Sequence, residues 1–338
     1  MERHDVVVVG GGAIGLACAW RARQRGLDVV VLDRRDAGAA TPVAAGMLSP
    51  ATEAEFGEER LLELSLRAAE LWPGFAAELD LPYRRCGALA LAADADEAVE
   101  LRRHHEHRAS LGLPGEWLTP SSCRELEPGL AACAGGVLVP EEGECDPRAL
   151  LAALIARVPV ERASVVDGLW EGDRLAGVVA ADGRRFEGAV VLASGCWGAD
   201  WLPEPPPVRP VKGQVVRLRG PRVLERLIRA ERVYLTPRAS GELVVGATAE
   251  ERGFDTTVTA GAVHELLREA YRILPEVAEL ELVEACAGLR PATPDNVPLV
   301  GLGPVEGLVY ALGHYRNGIL LAPATAADVA ALLAGVLV

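Results

Sequence analysis

A strand that runs into a glycine-rich turn stands near the start of the chain and constrains its fold more than any other feature. Residues 6–9 are four consecutive valines, and the sequence GGGAIG follows them directly at 10–15. A helical pattern then leads to a second apolar run at 29–32, which ends at Asp33, about 20 residues beyond the turn. This order of strand, turn, helix, strand and acid is typical of a dinucleotide-binding domain.

The residues of this motif match the needs of a pyrophosphate ligand. Gly10 permits the tight turn, Gly12 lets the backbone approach the phosphates, and Gly15 allows the helix to pack on the strand. The helix directs free N–H groups and the positive end of its dipole at the phosphates. We therefore expect Asp33 to accept hydrogen bonds from a ribose diol.

Two arginines follow Asp33 and bear on the choice of dinucleotide. Arg34 or Arg35 could bind the 2′-phosphate of NADP, and a non-catalytic NADP-binding regulator is one interpretation of the chain. The carboxylate of Asp33 would repel such a phosphate. A dinucleotide with a free ribose diol is therefore favoured.

Charge and cysteine content restrict the partners of the chain. The formal net charge of -14 argues against nucleic acid and against an anionic membrane surface. The 7 cysteines include no C-x-x-C, which argues against a disulfide framework or a zinc ribbon and favours a cytoplasmic location. The first strand begins a few residues after Met1 and leaves no room for a signal peptide. The cluster of three histidines at 104–107 predicts a solvated helix face, so no metal site is expected.

The remaining pattern predicts an α/β fold (α+β overall), in which a Rossmann-like domain is interleaved with an antiparallel-sheet domain. Residues 1–80, 144–205 and 284–338 are assigned to the nucleotide-binding domain, and residues 81–143 and 206–283 to the other. Asp182-Gly183 predicts a hairpin. Predicted helices lie at 53–79, 94–111, 146–158 and 262–274, and predicted strands at 87–91, 160–166, 174–181, 184–187, 189–193, 214–218, 231–237, 242–247 and 307–313.

The C-terminal segment favours FAD over a nicotinamide dinucleotide. The sequence GHYRNGILLAPAT at 313–325 places a strand-to-helix turn after the inserted second sheet. The N-terminus of that helix would stabilise the negative charge that a reduced flavin gathers at its N1–C2=O edge. The apolar stretch at 319–338 contains Pro323 and Asp328, and predicts a buried helix, not a membrane span.

Several longer motifs occur in the order found in one known family. They are AAGML (44–48), VLASG (191–195), PVKGQ (210–214), LVVGAT (243–248), GLRPATPD (288–295) and GHYRNGILLAPAT. With GGGAIG, they resemble the FAD-dependent amine and D-amino-acid oxidases, above all the glycine-oxidising members that serve thiamine biosynthesis. The resemblance covers essentially the whole chain. It implies FAD in the Rossmann-like half and a substrate cavity under the antiparallel sheet.

The resemblance also implies roles for individual residues. Arg290, Arg316 and Tyr234 match the groups that bind the substrate carboxylate. Arg232 stands where the glycine-oxidising members have a histidine, and Ala249 where the family has a pocket methionine, so both are placed in the substrate pocket. The positions that match FAD contacts are Gly10, Gly12, Ala13, Ile14, Gly15, Asp33, Arg34, Ala40, Thr41, Ala45, Gly46, Met47, Val165, His314, Tyr315, Arg316, Asn317, Gly318, Ile319 and Leu320.

The implied reaction is oxidative deamination of glycine or another small amino acid. Hydride passes from Cα to flavin N5, dioxygen accepts the electrons to give hydrogen peroxide, and the imine hydrolyses, so no catalytic base is expected. FAD is expected to be non-covalent, because Cys286 is offset by two residues from the cysteine that tethers flavin in sarcosine oxidases. A dehydrogenase that uses a quinone or carrier protein is the alternative. Homo-oligomers occur among such enzymes, although no residue here demands one.

Overall fold

The computed structural model describes residues 2–35, 37–197 and 199–336. Its α-helices are α1 (Ala13–Gln24), α2 (Glu59–Glu78), α3 (Ala95–Ser110), α4 (Pro120–Leu126), α5 (Pro147–Ile155), α6 (Ala260–Ile273) and α7 (Gly318–Val336). Its strands are β1 (Glu2–Val9), β2 (Val29–Asp33), β3 (Met47–Leu48), β4 (Tyr83–Arg84), β5 (Ala88–Ala92), β6 (Glu116–Leu118), β7 (Gly135–Val139), β8 (Gly143–Cys145), β9 (Val160–Arg162), β10 (Val165–Glu171), β11 (Arg174–Ala180), β12 (Arg185–Leu192), β13 (Arg209–Arg219), β14 (Leu227–Arg229), β15 (Tyr234–Pro237), β16 (Glu242–Gly246), β17 (Glu281–Ala292), β18 (Leu299–Leu302) and β19 (Leu308–Leu312).

A sheet with a parallel centre forms one layer of the molecule. Its strands follow the order β10–β11–β12–β1–β2–β9, with β19 beside the end of β12 and β18 beside β19. β1 pairs in parallel with both β2 and β12, and residues 6–9 are buried. Parallel strands bury both faces, which explains the unbroken run of valines. Helices α1, α2, α5 and α7 share a core with this sheet, and the predicted Rossmann-like fold is confirmed.

A mainly antiparallel sheet forms the second large layer. Its order is β17–β13–β16–β15–β14–β5–β7–β6, and β14 and β5 are its parallel pair. β13 and β17 pair along their length, from Arg209 opposite Ala292 to Arg219 opposite Glu281. Helix α6 packs on this sheet through Leu266, Ala270 and Ile273. The predicted antiparallel sheet is therefore present. A small third sheet has the order β3–β8–β4.

Strand β17 was not predicted, and the predicted domain boundary at residue 284 falls inside it. Charged residues at its start hide any alternation, while Gly288 and Pro291 are residues that disfavour strand interiors. The long pairing with β13 stabilises the strand, although the local sequence has little strand propensity. This pairing places residues 281–292 in the antiparallel sheet.

Two other predicted elements have different bounds. The stretch 160–166 is not one strand, because β9 pairs with β2 and β10 pairs with β11 on the opposite side of the sheet. The helix predicted from residue 53 begins at Glu59, after a loop in which Gly57 has a φ of +78°. That loop, residues 49–58, contributes to the cavity described below.

The last helix lies in the interior. The segment Tyr315–Val336 is long and apolar enough to cross a membrane by composition, yet 61% of its most apolar window is buried inside the protein. It packs against α1 and α2, and Trp72 Nε1 donates a hydrogen bond to Leu320 O at 2.8 Å. Burial of this kind is the pattern of a core helix.

Candidate cofactor and substrate cavity

A cavity of about 640 Å³ lies between the carboxyl ends of β1 and β2 and the antiparallel sheet. Ligands of open α/β sheets bind at this edge, and the volume lies within the range of small-molecule sites. Residues from both large sheets line it, as do the segments 39–47 and 311–316. The cavity therefore brings together parts of the chain that lie far apart in sequence.

The glycine turn forms one wall of the cavity. Gly10 has a φ of +112°, and a Cβ there would overlap the carbonyl of Ala193. A Cβ on Gly15 would overlap Gly10 O, so Gly15 lies beneath the turn and does not line the cavity. A Cβ on Gly12 would come no closer than 3.4 Å to a protein atom, the Thr41 hydroxyl oxygen. The protein itself therefore leaves room at Gly12, on the side that faces the cavity.

The start of α1 faces the same space without a protein group that neutralises it. Gly12 makes no side-chain cap hydrogen bond, and the first turn of α1 contains no acidic residue. Ala13 N donates to Thr41 Oγ1 at 3.0 Å, and both residues line the cavity. A helix N-terminus of this type suits a phosphate group. The residues present thus fit the pyrophosphate of a dinucleotide such as FAD.

The acid at the end of β2 lies beside the turn as expected. Asp33 lines the cavity, and a Cβ on Gly11 would lie 2.7 Å from its Oδ2. The absence of a side chain at Gly11 therefore makes room for the carboxylate of Asp33. The sequence analysis did not assign this role to Gly11. The guanidinium of Arg34 lies over the ring of Trp197 at 5.2 Å, and both residues line the cavity. Trp197 was not predicted, because only the fold brings it to Arg34.

The antiparallel sheet contributes Tyr234 from β15 and Arg290 from β17. Arg290 Nη1 donates to Thr248 O at 2.9 Å. Burial raises the pKa of Tyr234, although the positive charge of Arg290 beside it acts in the opposite direction. A phenol with a raised pKa remains protonated at neutral pH and can donate its O–H. The two side chains thus present hydrogen-bond donors to one cavity.

Two glycines in neighbouring strands make room for these side chains. A Cβ on Gly213 of β13 would overlap the guanidinium of Arg290, and a Cβ on Gly246 of β16 would overlap the phenol ring of Tyr234. Neither glycine was predicted as a site residue. The available signal was a glycine inside a strand pattern, in PVKGQ and in LVVGAT, which indicates a close approach.

Arg316 lines the cavity and also binds a carboxylate of the protein. Its Nη2 lies 2.5 Å from Oε2 of Glu58, which precedes α2. Oε1 of Glu58 accepts from Nδ2 of Asn296 at 2.7 Å. The side chain of Arg316 is 27% exposed. Arg316 is therefore held by an ion pair at the margin of the predicted site.

Two predicted pocket residues lie elsewhere, and the structure corrects their placement. Arg232 is exposed and faces a separate acidic cavity with Asp94, Glu97 and Glu269, because β15 begins only at Tyr234 and the strand alternation does not extend back to it. Ala249 is also exposed and does not line the large cavity, since β16 ends at Gly246. Neither residue can shape the pocket beside Arg290 as predicted.

Most of the positions matched to FAD do line the cavity. Asn317 and Leu320 do not. Asn317 directly precedes α7 and is buried with its Nδ2 3.5 Å from Ser65 Oγ of α2, and Leu320 is buried where its carbonyl accepts from Trp72 of α2. His314 lines the cavity, its Nε2 lies 2.9 Å from Thr325 Oγ1, and burial lowers its pKa to about 3. The others that line it are Gly10, Gly12, Ala13, Ile14, Asp33, Arg34, Ala40, Thr41, Ala45, Gly46, Met47, Val165, Tyr315, Arg316, Gly318 and Ile319.

Glu53 is a cavity residue that the sequence analysis missed. It was assigned to a helix, but it lies in the loop before α2 and lines the cavity. Its side chain is 11% exposed, and its Oε1 accepts from Arg229 Nη1 at 2.9 Å. Sequence spacing carried no signal for it, because the loop is positioned by contacts with distant strands.

The histidine cluster packs against that same loop. The ring of Phe56 stacks on His107 with a centroid distance of 4.1 Å, and His104 lies 3.7 Å from Glu55. This face of α3 is thus covered in part, and not solvated along its length as predicted. Among the residues that the structure describes, no cluster of three or more His, Cys, Asp or Glu side chains could hold a metal ion.

The chain is similar to known proteins over nearly its whole length. The profile of the DAO family, described as FAD dependent oxidoreductase, matches residues 5–332. The chain is 35% identical to a glycine oxidase of Geobacillus kaustophilus, over 98% of this chain and 93% of that protein. The crystal structure of glycine oxidase from Geobacillus kaustophilus superposes with a TM-score of 0.92 at 34% identity, covering 99% of this chain and 95% of the other.

A bifunctional protein ThiO/ThiG of Trichormus variabilis is 36% identical over 97% of this chain. The chain spans about half of that relative, 52% of its length. The profile match, the identities and the glycine turn with its acid agree with one another. The chain belongs to the DAO family of FAD-dependent oxidoreductases.

Proposed function

We propose that this protein oxidises glycine or another small amino acid, with FAD as cofactor and dioxygen as the final electron acceptor. One observation carries the proposal. The donors of Arg290 and Tyr234 open into the same cavity as the nucleotide turn at the start of α1. A small carboxylate and a dinucleotide can therefore be bound side by side. The relatives named glycine oxidase support glycine as the first substrate to test.

Arg290 and Tyr234 bind the substrate carboxylate in this proposal. A guanidinium has five N–H donors, so the bond from Arg290 Nη1 to Thr248 O leaves others for the substrate. Charge-assisted bonds to a carboxylate are roughly twice as strong as neutral ones. Fixing the carboxylate restricts the rotation of the substrate and orients its Cα–H bond.

The residues that hold the cofactor are those of the glycine turn, Asp33 and the segment 313–319. FAD, when bound, supplies a two-electron acceptor that dioxygen can reoxidise. The start of α1, whose first turn contains no acidic residue, would hold the pyrophosphate, and Asp33 would hold the ribose. Among the described residues no cysteine lines the cavity, and Cys286 packs instead with Val215 and Val244. Burial raises the pKa of the Cys286 thiol, which further supports non-covalent attachment.

The protein side chains position the substrate and do not need to remove a proton from Cα. The histidine of the cavity is neutral, because burial depresses its pKa to about 3, and its Nε2 is engaged with Thr325. Loss of the Cα hydrogen as hydride requires no base at Cα. The ammonium proton of the substrate leaves to solvent first, which frees the nitrogen lone pair that forms the C=N bond. We further propose that the imine or its oxoacid serves thiamine biosynthesis, on the strength of the ThiO relatives.

The test is a visible spectrum of the purified protein before and after glycine is added without oxygen. Flavin bands that bleach, recover in air and yield hydrogen peroxide would support an oxidase. Bleaching with slow recovery in air and rapid reduction of a dye would replace it with a dehydrogenase. A colourless protein that binds NADP would overturn the proposal.

A further inference from the structure

We infer that Glu53 binds the amino group of the substrate, and so makes the cavity selective for amino acids over other small carboxylates. The inference rests on the proposed function, since it assumes that Arg290 and Tyr234 bind the carboxylate. It adds a second anchor to that site. The residues named so far under the proposed function bind the substrate carboxylate or the cofactor, and not the substrate amino group.

The charge of Glu53 is opposite to that of a substrate ammonium group. An amino acid at neutral pH carries an ammonium group, and burial of that charge is unfavourable unless an acceptor is present. Among the lining residues that the structure describes, the acidic side chains are Asp33 and Glu53. Asp33 lies against Gly11 in the nucleotide turn, and its Oδ1 accepts from Arg35 N at 3.2 Å. Glu53 is therefore the carboxylate available to the substrate.

Glu53 lines the same cavity as the carboxylate anchors Arg290 and Tyr234. The negative charge of Glu53 acts on Tyr234, where it adds to the effect of burial in raising the phenol pKa, while the charge of Arg290 lowers it. The three side chains therefore interact electrostatically within one cavity. Arg290, Tyr234 and Glu53, which we call the substrate wall, present positive, neutral and negative groups. That sequence of charges matches an α-amino acid.

Two arginines act on Glu53 from the protein side. Arg229 Nη1 binds Oε1 of Glu53 at 2.9 Å, and its Nη2 binds Glu55 at 3.1 Å. The charge of Arg108 also interacts with Glu53 and Glu55. The substrate amino group would bind Oε2 of Glu53, while Arg229 keeps Oε1 in place.

Hydrogen bonds fix the loop 49–58 on both sides of Glu53 before any ligand binds. The buried carboxylate of Glu142 accepts from Ala51 N at 2.8 Å and from Thr52 N at 2.7 Å, and it also binds the Thr52 hydroxyl. On the other side, Arg108 donates twice to Ala54 O, each time at 3.2 Å. The backbone is held on both sides of Glu53. A side chain fixed in this way loses little conformational entropy when it binds a ligand.

The experiment compares Glu53→Gln with Glu55→Gln in the FAD-containing protein. Both changes remove one negative charge from the partners of Arg229, but only Glu53 lines the cavity. Anaerobic stopped-flow reduction gives the dissociation constant of glycine, and calorimetry gives that of acetate, which lacks the amino group. We expect Glu53→Gln to weaken glycine about tenfold or more while acetate binds at least as tightly as before. We expect Glu55→Gln to leave both constants within about twofold.

Each result decides between the two proposals. If glycine reduces the wild type and Glu53→Gln binds it equally well, the inference is overturned and the proposed function stands. An equal loss for glycine and acetate, or the same loss in Glu55→Gln, would also overturn it, because the role would then be structural. If no small amino acid reduces the wild type, both proposals fail. Glu53→Asp keeps the charge and should retain intermediate glycine affinity, so the inference can be tested even if the glutamine variant does not fold.

Discussion

The two sides of the cavity are built in different ways. The nucleotide side comes largely from one continuous stretch, in which β1, the turn, α1 and β2 lie within the first 33 residues. The substrate wall comes from the loop at Glu53 and from strands β15 and β17, with Gly213 and Gly246 of two further strands behind it. The first side is thus specified mainly by residues that lie close together in the sequence. The second exists only after the antiparallel sheet has assembled.

This difference predicts that damage to the two sides has different consequences. Changes at the nucleotide turn should weaken FAD binding, and those that place a Cβ against the backbone of the turn should also destabilise the fold. Changes in the substrate wall should alter substrate binding in a protein that retains FAD. The following predictions test that separation, from the largest expected effect to the smallest.

Gly15→Ala should have the largest effect. Its Cβ would overlap the backbone carbonyl of Gly10, which cannot move without breaking the turn. We expect a loss of about 3 kcal/mol in the free energy of unfolding, and purification without flavin colour. Gly12→Ala is the matched control, since its Cβ meets the nearest protein atom at 3.4 Å. Denaturant unfolding of the apoproteins should show Gly12→Ala close to wild type, with weakened FAD binding. Equal destabilisation by both changes would contradict this account.

Arg290→Ala should weaken glycine binding by about 3 kcal/mol or more, because it removes the charged hydrogen-bonding partner of the substrate carboxylate. The FAD content should not change. Anaerobic titration with glycine measures the loss, and the ratio of flavin to protein absorbance checks the cofactor. Arg290→Lys keeps the charge without the planar fork and should recover only part of the affinity. An unchanged apparent KM in Arg290→Ala would remove this arginine from the substrate site.

The same difference between the two sides determines which site residues could be predicted from the sequence. The nucleotide turn was predicted residue by residue because its signals, from Gly10 to Asp33, are local. The hairpin at Asp182-Gly183 was predicted for the same reason, and Ala180 N does bind Arg184 O at 2.9 Å. Resemblance to a family supplied Tyr234 and Arg290, which local pattern alone could not have brought to one cavity.

The errors lie where distant strands determine the position of a side chain. Strand β17 has little alternation of its own and forms by pairing with β13. Arg232 was placed in the pocket because it stands where the glycine-oxidising members have a histidine, but the strand does not extend to it. Glu53 was missed because its loop is positioned by Glu142 and Arg108, which lie far along the chain. In each case the position of the residue is determined by tertiary contacts with residues distant in the sequence.

The loop beneath the substrate wall should make stability depend on pH. Burial and the negative charge of Glu53 raise the pKa of Glu142 from 4.5 to about 7, against the hydrogen bonds from Thr52 that lower it. A folded-state pKa above the unfolded value means that the folded protein binds the proton more tightly. The resulting stability is complete below about pH 4.5 and is lost as the pH rises through about 7.

Ionisation of Glu142 between pH 5 and 8 should therefore lower the free energy of unfolding by about 2 kcal/mol. Thermal unfolding measured across that range in wild type and in Glu142→Gln tests it, because glutamine does not titrate. The wild type should lose more stability than the variant as the pH rises. Parallel curves would show that Glu142 does not titrate in this window.

The smallest effect is expected at Arg316, which stands at the margin of both sides of the cavity. Its ion pair with Glu58 is partly exposed, and pairs of this kind contribute about 1 kcal/mol or less to stability. Arg316→Ala should therefore unfold almost as wild type does, while the KM for glycine rises about fivefold through loss of a second cation near the carboxylate. Glu58→Gln leaves the cation in place and removes only the charge that holds it, so it should raise the KM less, by about twofold. If the two variants change the KM equally, Arg316 acts only through its tether to α2. If Arg316→Ala releases FAD while the KM of the remaining holoenzyme is unchanged, Arg316 belongs to the nucleotide side, and the substrate wall ends at Arg290.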